Sequence, residues 1–552
     1  MSILNKKWVI KNLDRQKSAF ERIIENRGFN GRDDMTDFHD PFLFEDMEKA
    51  CVRIEKAMKN KERIIVFGDY DVDGISGTAI LVHTLKKIHA EVSWRLPHRV
   101  EDGYGLSMKF IDEFIEKNIA VVITVDCGIC CAKEIHKAKE HNIDTIVTDH
   151  HTIPEKYPDA HAILHPKLPK TNYPFNELTG AGVALKLAHA LLQRNLPEYS
   201  QFFNSLLDLA SLGTVADLGQ LIGENRLIVK KGLEILSNTS WLGLRQIMDI
   251  ARLKPGAKMD TTTIGFQIAP RINAAGRIGD PYTALSLLLQ EEKNPKIDSL
   301  GKKLEELNTA RQGLTQSAFE QLEAQLKDVK ELPYMIIAHH PDWHVGILGL
   351  IAGKLAEKYG RPAIIMQDFG DTLVASARSP KFFNIIDAIS QCGEYLVSFG
   401  GHAQAAGCSL KKENLDAFKE KIIAHTKENL KDSELKAVLE IDCELEPDEI
   451  TLDFAEELEN LAPFGAGNQR PTFVIRDVEP LLVNQVGAAK NHLKFLAKIN
   501  EQNLDVIAFR LGSFGEKLRR HKKIDIVCQL EKNSWQDRVS LQLQALDFNI
   551  KE

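Results

Sequence analysis

The sequence has no apolar run approaching the roughly 20 residues that a membrane-spanning helix requires. Its opening, Met1-Ser2-Ile3-Leu4-Asn5-Lys6-Lys7-Trp8, contains no signal-peptide core. No membrane partner is expected, and the cytoplasm is the expected location. Low-complexity tracts and internal repeats are also missing, so disorder on the scale of a domain is not expected. Cysteine is sparse: eight residues in 552, scattered as reduced thiols are rather than spaced as a disulfide framework. Only Cys127, Cys130 and Cys131 cluster, with His136 nearby, and no second pair at zinc-finger spacing follows them. An excess of positive charge is lacking too. Lys and Arg number 70 against 78 Asp and Glu, a net charge of −8, which argues against a protein that coats nucleic acid through charge alone. A nucleic-acid enzyme is still allowed, because metal-binding acids supply part of the negative total and basic residues can gather on one face.

What the chain does have is acid at the ends of apolar strands. Phe67-Gly68-Asp69-Tyr70-Asp71-Val72-Asp73-Gly74, Thr124-Val125-Asp126-Cys127-Gly128 and Val147-Thr148-Asp149-His150-His151 each follow a run rich in β-branched residues. Such runs form buried strands of parallel sheets, and ligands of open α/β sheets bind at the strands' carboxyl ends. The three segments should therefore converge. Asp69, Asp71 and Asp73 alternate, so an extended segment would project all three to one side, with Gly74 turning into a helix near Ser76. Asp149 alone would read as a helix N-cap, but the three segments together exceed what caps require. Acids this close cannot all stay ionised without cations. Carboxylates beside a neutral imidazole suit Mn²⁺ or Mg²⁺, and two ions bridged by Asp126 would suit phosphoester or phosphoanhydride hydrolysis.

At 552 residues the chain should form two to four domains. Residues 1–58 read as charged helical material, a lid or brace. In 59–282 strands alternate with helical stretches (Ser76–His89, Ser107–Lys117, Ala132–His141, Val183–Gln193), the pattern of βαβ units. Residues 283–330 read as a long connecting helix, interrupted or bounded near Pro295 and Gly301. A second α/β lobe over 331–430 begins with the strand Tyr334–Ala338 and the helix Ile347–Tyr359. In 431–552 an acidic stretch, Leu439–Glu459, and the turn Pro463–Asn468 precede alternating segments such as His492–Lys498 and Val539–Leu543, which predict a small OB-like β-barrel. The expected fold class is α/β: two α/β lobes joined by a long helix, plus a C-terminal small β-barrel. His339, His340 and His344 around Trp343 read as packing residues at a strand end.

These motifs resemble the DHH phosphoesterases, a family named for the triplet present here as Asp149-His150-His151. Gly68–Gly74 is similar to the family's first motif, Val125–Gly128 to its second and Ser211-Leu212-Gly213-Thr214-Val215-Ala216-Asp217 to its fourth. Arg271-Ile272-Asn273-Ala274-Ala275-Gly276-Arg277 and Gly400-Gly401-His402-Ala403-Gln404-Ala405-Ala406-Gly407 extend the resemblance to about residues 60–410, the last being typical of the DHH-associated domain. Within the family the likeness is closest to the exonuclease branch. It implies hydrolysis of single-stranded DNA from the 5′ end to mononucleotides, with two Mn²⁺ or Mg²⁺ ions. Asp69 and Asp71 would hold one ion, Asp73, His150 and Asp217 the other, and Asp126 would bridge them. Asp126, Asp149 and His151 would be catalytic, His151 placing the scissile phosphate or protonating the leaving oxygen.

Substrate contacts implied by the resemblance are Arg271, Asn273, Arg277, Ser376, Arg378, Gly400, Gly401 and His402, with Arg277 and Arg271 joined to Arg378 on the terminal 5′-phosphate. Implied partners are single-stranded DNA, single-strand-binding protein and a RecQ-type helicase. Two rival readings are a phosphodiesterase of short oligonucleotides or cyclic dinucleotides and a scaffold without activity. The β-rich tail speaks against the first, and the full ligand set against the second.

Overall fold

The computed structural model describes residues 2–28, 35–327, 329, 331–430, 437–535 and 538–550. They form two compact units: Met35–Asn429 with Gly465–Gly467, and Met1–Asp34 with Leu430–Phe464 and Asn468–Glu552. The strand β1 (Lys7–Asn12) belongs to the second unit.

The larger unit holds a parallel sheet of β2 (Ile64–Gly68), β3 (Val92–Arg95), β4 (Val121–Val125), β5 (Asp144–Thr148) and β6 (Ala162–Leu164), in the order β3-β2-β4-β5-β6. Alternate residues of β2 point into different cores, Ile64 and Val66 to one and Ile65 and Phe67 to the other. That two-sided burial is why these strands are continuous apolar runs. After β2 the chain crosses to β3 on one side and returns to β4 on the other, so the sheet's switch point lies between β2 and β4. Crossover helices Val72–Lys87, Met108–Glu116 and Ala132–Glu140, and the helix Gly180–Asn195 after β6, lie close to the expected ranges.

The helix Pro295–Lys327 leads to a second sheet of β7 (Ile336–His340), β8 (Ala363–Phe369), β9 (Thr372–Arg378), β10 (Leu396–His402) and β11 (Ala405–Lys411). Its order is β10-β11-β9-β8-β7, with β7 and β8 parallel and the other pairs antiparallel. A shorter helix, Tyr282–Leu288, precedes the connecting helix, whose first residue is Pro295 and which runs unbroken through Gly301. Gly400-Gly401-His402 closes β10; a Cβ at Gly401 would lie 2.5 Å from Ala405 O and from Ala406 Cα, so the hairpin needs glycine there. His340 stacks on Trp343 and His344 caps the helix Val345–Tyr359, which leaves these histidines as packing groups.

The second unit contains β12 (Val438–Glu444), β13 (Phe473–Val486), β14 (His492–Ile499), β15 (Gln502–Ala508), β16 (Ile524–Trp535) and β17 (Arg538–Ile550). The sheet runs β1-β12-β13-β14-β15-β17-β16, and β16 pairs back to β13 to close a five-stranded barrel. One expectation fails in part here. Residues 1–58 are helical only in part: Ala19–Arg27 and Met47–Asn60 are helices, but Lys7–Asn12 is a strand paired in parallel with β12, in the register Lys7↔Val438. Its burial alternates along Lys-Trp-Val-Ile-Lys-Asn, a period of two that outweighs the charge of the flanking residues. The helix Met47–Asn60 lies in the larger unit and buries Cys51 and Ile54 in its core.

Candidate active site

Strand register builds the site. Gly68 pairs with Val125 and Val125 with Thr148, so Asp69, Asp126 and Asp149, each one residue further on, stand side by side on three adjacent strands. Backbone bonds continue the sheet by one step, Asp69 N donating to Val125 O at 3.2 Å and Asp126 N to Thr148 O at 3.0 Å. Asp126 takes a left-handed φ of 62°, backbone strain located at the switch point. The expected extended run Asp69–Asp73 does not form. The helix starts at Val72, with Asp71 as its N-cap accepting from the amides of Asp73 and Gly74, and Asp73 lies in the first turn. A cap satisfies the free amides of the helix end, and here it also aims the acids.

Three groups of ligand atoms result among the described residues, the atoms of each within 4.8 Å of one another: Asp69, Asp71 and Asp126; Asp73, His150 and Asp217; and Asp126, His150 and His151. His150 Nε2 lies 3.1 Å from Asp126 Oδ1 and 3.6 Å from Asp217 Oδ2, which joins the groups. Asp217 arrives as the C-cap of the helix Leu207–Ala216. Asp73 is fixed by the amides of Gly180 at 2.6 Å and Ala181 at 2.9 Å. Asp69 Oδ1, Asp126 Oδ1 and His150 Nε2 are buried without hydrogen-bond partners, as acceptors awaiting a cation would be. Burial and mutual repulsion push Asp69 up to about 8, Asp73 to about 6 and Asp217 to about 8, and lift Asp126 well above its ordinary value. Burial and the neighbouring His151 lower His150 to about 3, so its imidazole is neutral and free to ligate. Hard oxygens with one imidazole are a donor set for Mn²⁺ or Mg²⁺.

Asp149 is in none of these groups. Its Oδ2 accepts from the Ile129 amide, and its Oδ1 accepts from the amides of His150 and His151 and lies 2.8 Å from His151 Nδ1. Burial works against its ionisation, yet His151 and these amides hold its carboxyl at about 2. Burial likewise opposes charge on His151, but Asp149 raises it to about 9. Tyr104, which no sequence motif marks, donates to Asp126 O at 3.1 Å and sits edge-on to His151. The Cys127 thiol turns toward Phe67 O, away from the carboxylate groups, and all eight cysteines are free.

Beside the acids lies a group of guanidiniums. Burial lowers Arg277 to about 10, followed by the charge of Arg99, with Asp71 opposing and Arg311 and Arg378 adding to the shift. Burial and Arg99 lower Arg378 as well, and Arg311 has a buried Nε with no partner. Arg99, Arg311 and Arg378 thus lie near enough to act on Arg277, and Arg99 near enough to act on Arg378, a gathering of cations suited to an anion. Arg277 donates to Gly346 O at 3.2 Å, and a Cβ on Gly349 would lie 2.9 Å from Arg378 Nη2 and 3.0 Å from Ser376 Oγ, so glycine there lets the guanidinium lie against the helix. Asn273 shares a helix, Ala269–Ile278, with Arg277, and His402 is close enough to His151 for the two rings to affect each other's charge. Gly400 and Gly401 sit beside His402 on the edge strand. Arg271 lies elsewhere: it pairs through two nitrogens with Glu305 and donates to Gln267 O. Arg99 and Arg311 went unnoticed because one is in a loop and the other in the long helix, with no motif around either.

A parallel sheet whose switch point gathers carboxylates and imidazoles positioned to hold metal ions, beside a group of arginines, is a site fitted to phosphoester hydrolysis. The comparisons agree. Residues 63–214 match the DHH family N-terminal domain, 331–428 the DHHA1 domain and 441–547 the RecJ OB domain. The "Single-stranded-DNA-specific exonuclease RecJ" of Haemophilus influenzae is 33% identical, covering 90% of this chain and 89% of that protein. Its namesake in Bacillus subtilis is 36% identical over 94% of this chain, which spans 65% of that longer protein. A crystal structure of RecJ in complex with Mn²⁺ from Thermus thermophilus superposes with a TM-score of 0.84 at 28% identity, covering 99% of this chain and 80% of that one. A second structure of the Thermus protein holds Mg²⁺ and matches with a TM-score of 0.77 at 27% identity, over 99% of this chain and 79% of that one. The chain belongs to the RecJ family.

Proposed function

We propose that this chain is a metal-dependent exonuclease that hydrolyses single-stranded DNA from the 5′ end to mononucleotides, acting in DNA recombination and repair. The observation that carries the polarity is the group Arg99, Arg277, Arg311 and Arg378 beside Asp71, a pocket suited to a terminal 5′-phosphate. Asp69 and Asp71 would hold one Mn²⁺ or Mg²⁺ ion, Asp73, His150 and Asp217 the other, and Asp126 both. When bound, the two ions supply Lewis acidity and a hydroxide at neutral pH. The arginines and Ser376 hold the terminal phosphate, and Asn273, Gly400, Gly401 and His402 line the way to it. Asp149 fixes the ring of His151, which gives a proton to the 3′-oxygen leaving the scissile phosphorus. The phosphate stays with the shortened strand, so each cut regenerates a 5′-phosphate for the same pocket.

In this reading residues 59–282 perform the chemistry, 331–430 anchor the terminus and 431–552 bind strand. Single-strand-binding protein and a RecQ-type helicase would supply the substrate in the cytoplasm. Among the described residues no helix is long and apolar enough to cross a membrane. The test is Mn²⁺-dependent digestion of an oligonucleotide labelled separately at each end, with duplex as control. Release of 5′-labelled mononucleotide while the 3′ label persists on shortening chains is the expected result; cutting confined to dinucleotides would replace the proposal with a small-substrate phosphodiesterase. Arg378→Ala should reduce the preference for a 5′-phosphate over a 5′-hydroxyl by at least tenfold, the worth of about one charge-assisted hydrogen bond, with Mn²⁺ binding unchanged.

A further inference from the structure

Phe266 is 78% exposed, more than any other large hydrophobic residue among those described. It sits in a π-helical turn, Ile264–Ile268, that runs directly into the helix Ala269–Ile278. Turns of this kind insert one extra residue and recur at functional sites. The surroundings of Phe266 are sorted by face. Ile264, Ile268, Ile272 and Ala275 are buried in the core, whereas Phe266, Pro270, Asn273 and Arg277 succeed one another at spacings of four, three and four residues on the opposite face. That ridge begins at the phenyl ring and ends at the arginine pocket, ~16 Å away at helical rise. The π-turn also packs against the helix Leu207–Ala216, whose C-cap is Asp217. Gly265 has open space where a side chain would stand, so the ring is not walled in.

We propose that Phe266 is a stacking platform for one nucleobase of the unpaired strand, a few nucleotides beyond the scissile phosphate. The proposal rests on the single-strand reading above and deepens it. A phenyl face accepts any base, so the contact adds affinity without sequence preference, and a paired base, whose faces are covered by its neighbours in the duplex, cannot use it. The ridge fits a strand better than a protein partner, because an exposed aromatic ring in line with Asn273 and Arg277 continues a phosphate site.

The experiment measures steady-state kinetics of the full chain with Mn²⁺ on 5′-phosphorylated oligonucleotides. Phe266→Ala should raise KM about tenfold, one stacked base, at unchanged kcat; Phe266→Trp should restore KM and Phe266→Leu should not. On a dinucleotide, too short to reach the ring, Phe266→Ala should match the parent. An abasic site moved one nucleotide at a time from the 5′ end should raise KM at one position in the parent, and that increase should vanish in Phe266→Ala. An active parent with KM unaltered by Phe266→Ala, rescue by Leu equal to that by Trp, or an abasic penalty that persists in the variant overturns the platform alone. A parent inert on single strands overturns the underlying reading and the platform with it.

Discussion

Gly213 lies on the helix Leu207–Ala216 where it crosses beneath the metal-binding acids. A Cβ there would be 2.4 Å from Asp73 Oδ1, 2.5 Å from Ala181 Cβ and 2.7 Å from Ser76 Oγ, the closest of these about 1 Å inside van der Waals contact. Asp73 cannot simply retreat, because the amides of Gly180 and Ala181 grip its oxygens from the other side. Gly213→Ala must therefore part the helices or turn the carboxylate. Overpacking costs about 1–3 kcal/mol of stability, and displacing a metal-binding oxygen should weaken Mn²⁺ binding about 10- to 100-fold. Gly232→Ala separates these effects. Its Cβ would meet Leu207 O at 2.4 Å and Ser211 Cβ at 2.6 Å, an equal overlap on the same helix without a ligand in contact. Calorimetric titration with Mn²⁺, alongside thermal melts, should show both variants destabilised but only Gly213→Ala weakened in metal binding. Unchanged Mn²⁺ affinity in Gly213→Ala would refute the argument that this glycine shapes the site.

Other expectations follow from particular groups. Asp149→Asn should lower kcat about a hundredfold or more with a much smaller change in Mn²⁺ affinity, because Asp149 orients His151 and is itself in none of the three ligand groups; equal loss of metal binding would place it, or His151 through it, among the ligands. Arg271→Ala should cost about 1 kcal/mol in a denaturant titration, its partner Glu305 being partly exposed, and should leave the 5′-phosphate preference alone, in contrast to Arg378→Ala. Metal-free protein should lose stability as pH rises from about 6.5 to about 8. Asp69 and Asp217, raised to about 8, and His151, raised to about 9, bind more protons folded than unfolded in that window. His83 and His189, lowered to about 4, contribute with the opposite sign but only below it. Saturating Mn²⁺ replaces the protons and should flatten the slope; melts that stay level without metal would contradict this.

The metal-binding acids were legible because parallel strands announce themselves as two-sided apolar runs, and register then delivers the next residue of each to one place. The conformation of Asp71 was not legible: alternation suggested a strand, while the free amides of Asp73 and Gly74 at a helix start favoured a cap. Arg99 and Arg311 join Arg277 only through tertiary proximity, which local pattern does not encode, and Arg271 looked equivalent to Arg277 until the helix face separated it toward Glu305. The opening strand was masked by its charge, since Lys7 and Asn12 flank a short alternating core that only its pairing with Val438–Glu444 makes stable.

Gly276 touches the backbone of the acidic loop, where a Cβ would lie 2.2 Å from Tyr70 O, and Arg99 locks the same junction by donating to Gly276 O at 3.2 Å while lying 4.1 Å over the Tyr70 ring. Tyr70 sits between Asp69 and Asp71, and Arg277 is the residue after Gly276. The acidic loop and the helix that carries Arg277 are thus keyed together main chain to main chain, with no flexible side chain between them. In the proposed exonuclease that junction acts as a gauge block: the span from anchored terminus to cleaved bond is set by two touching backbones, and the size of each fragment released becomes a dimension of the scaffold instead of a matter of timing.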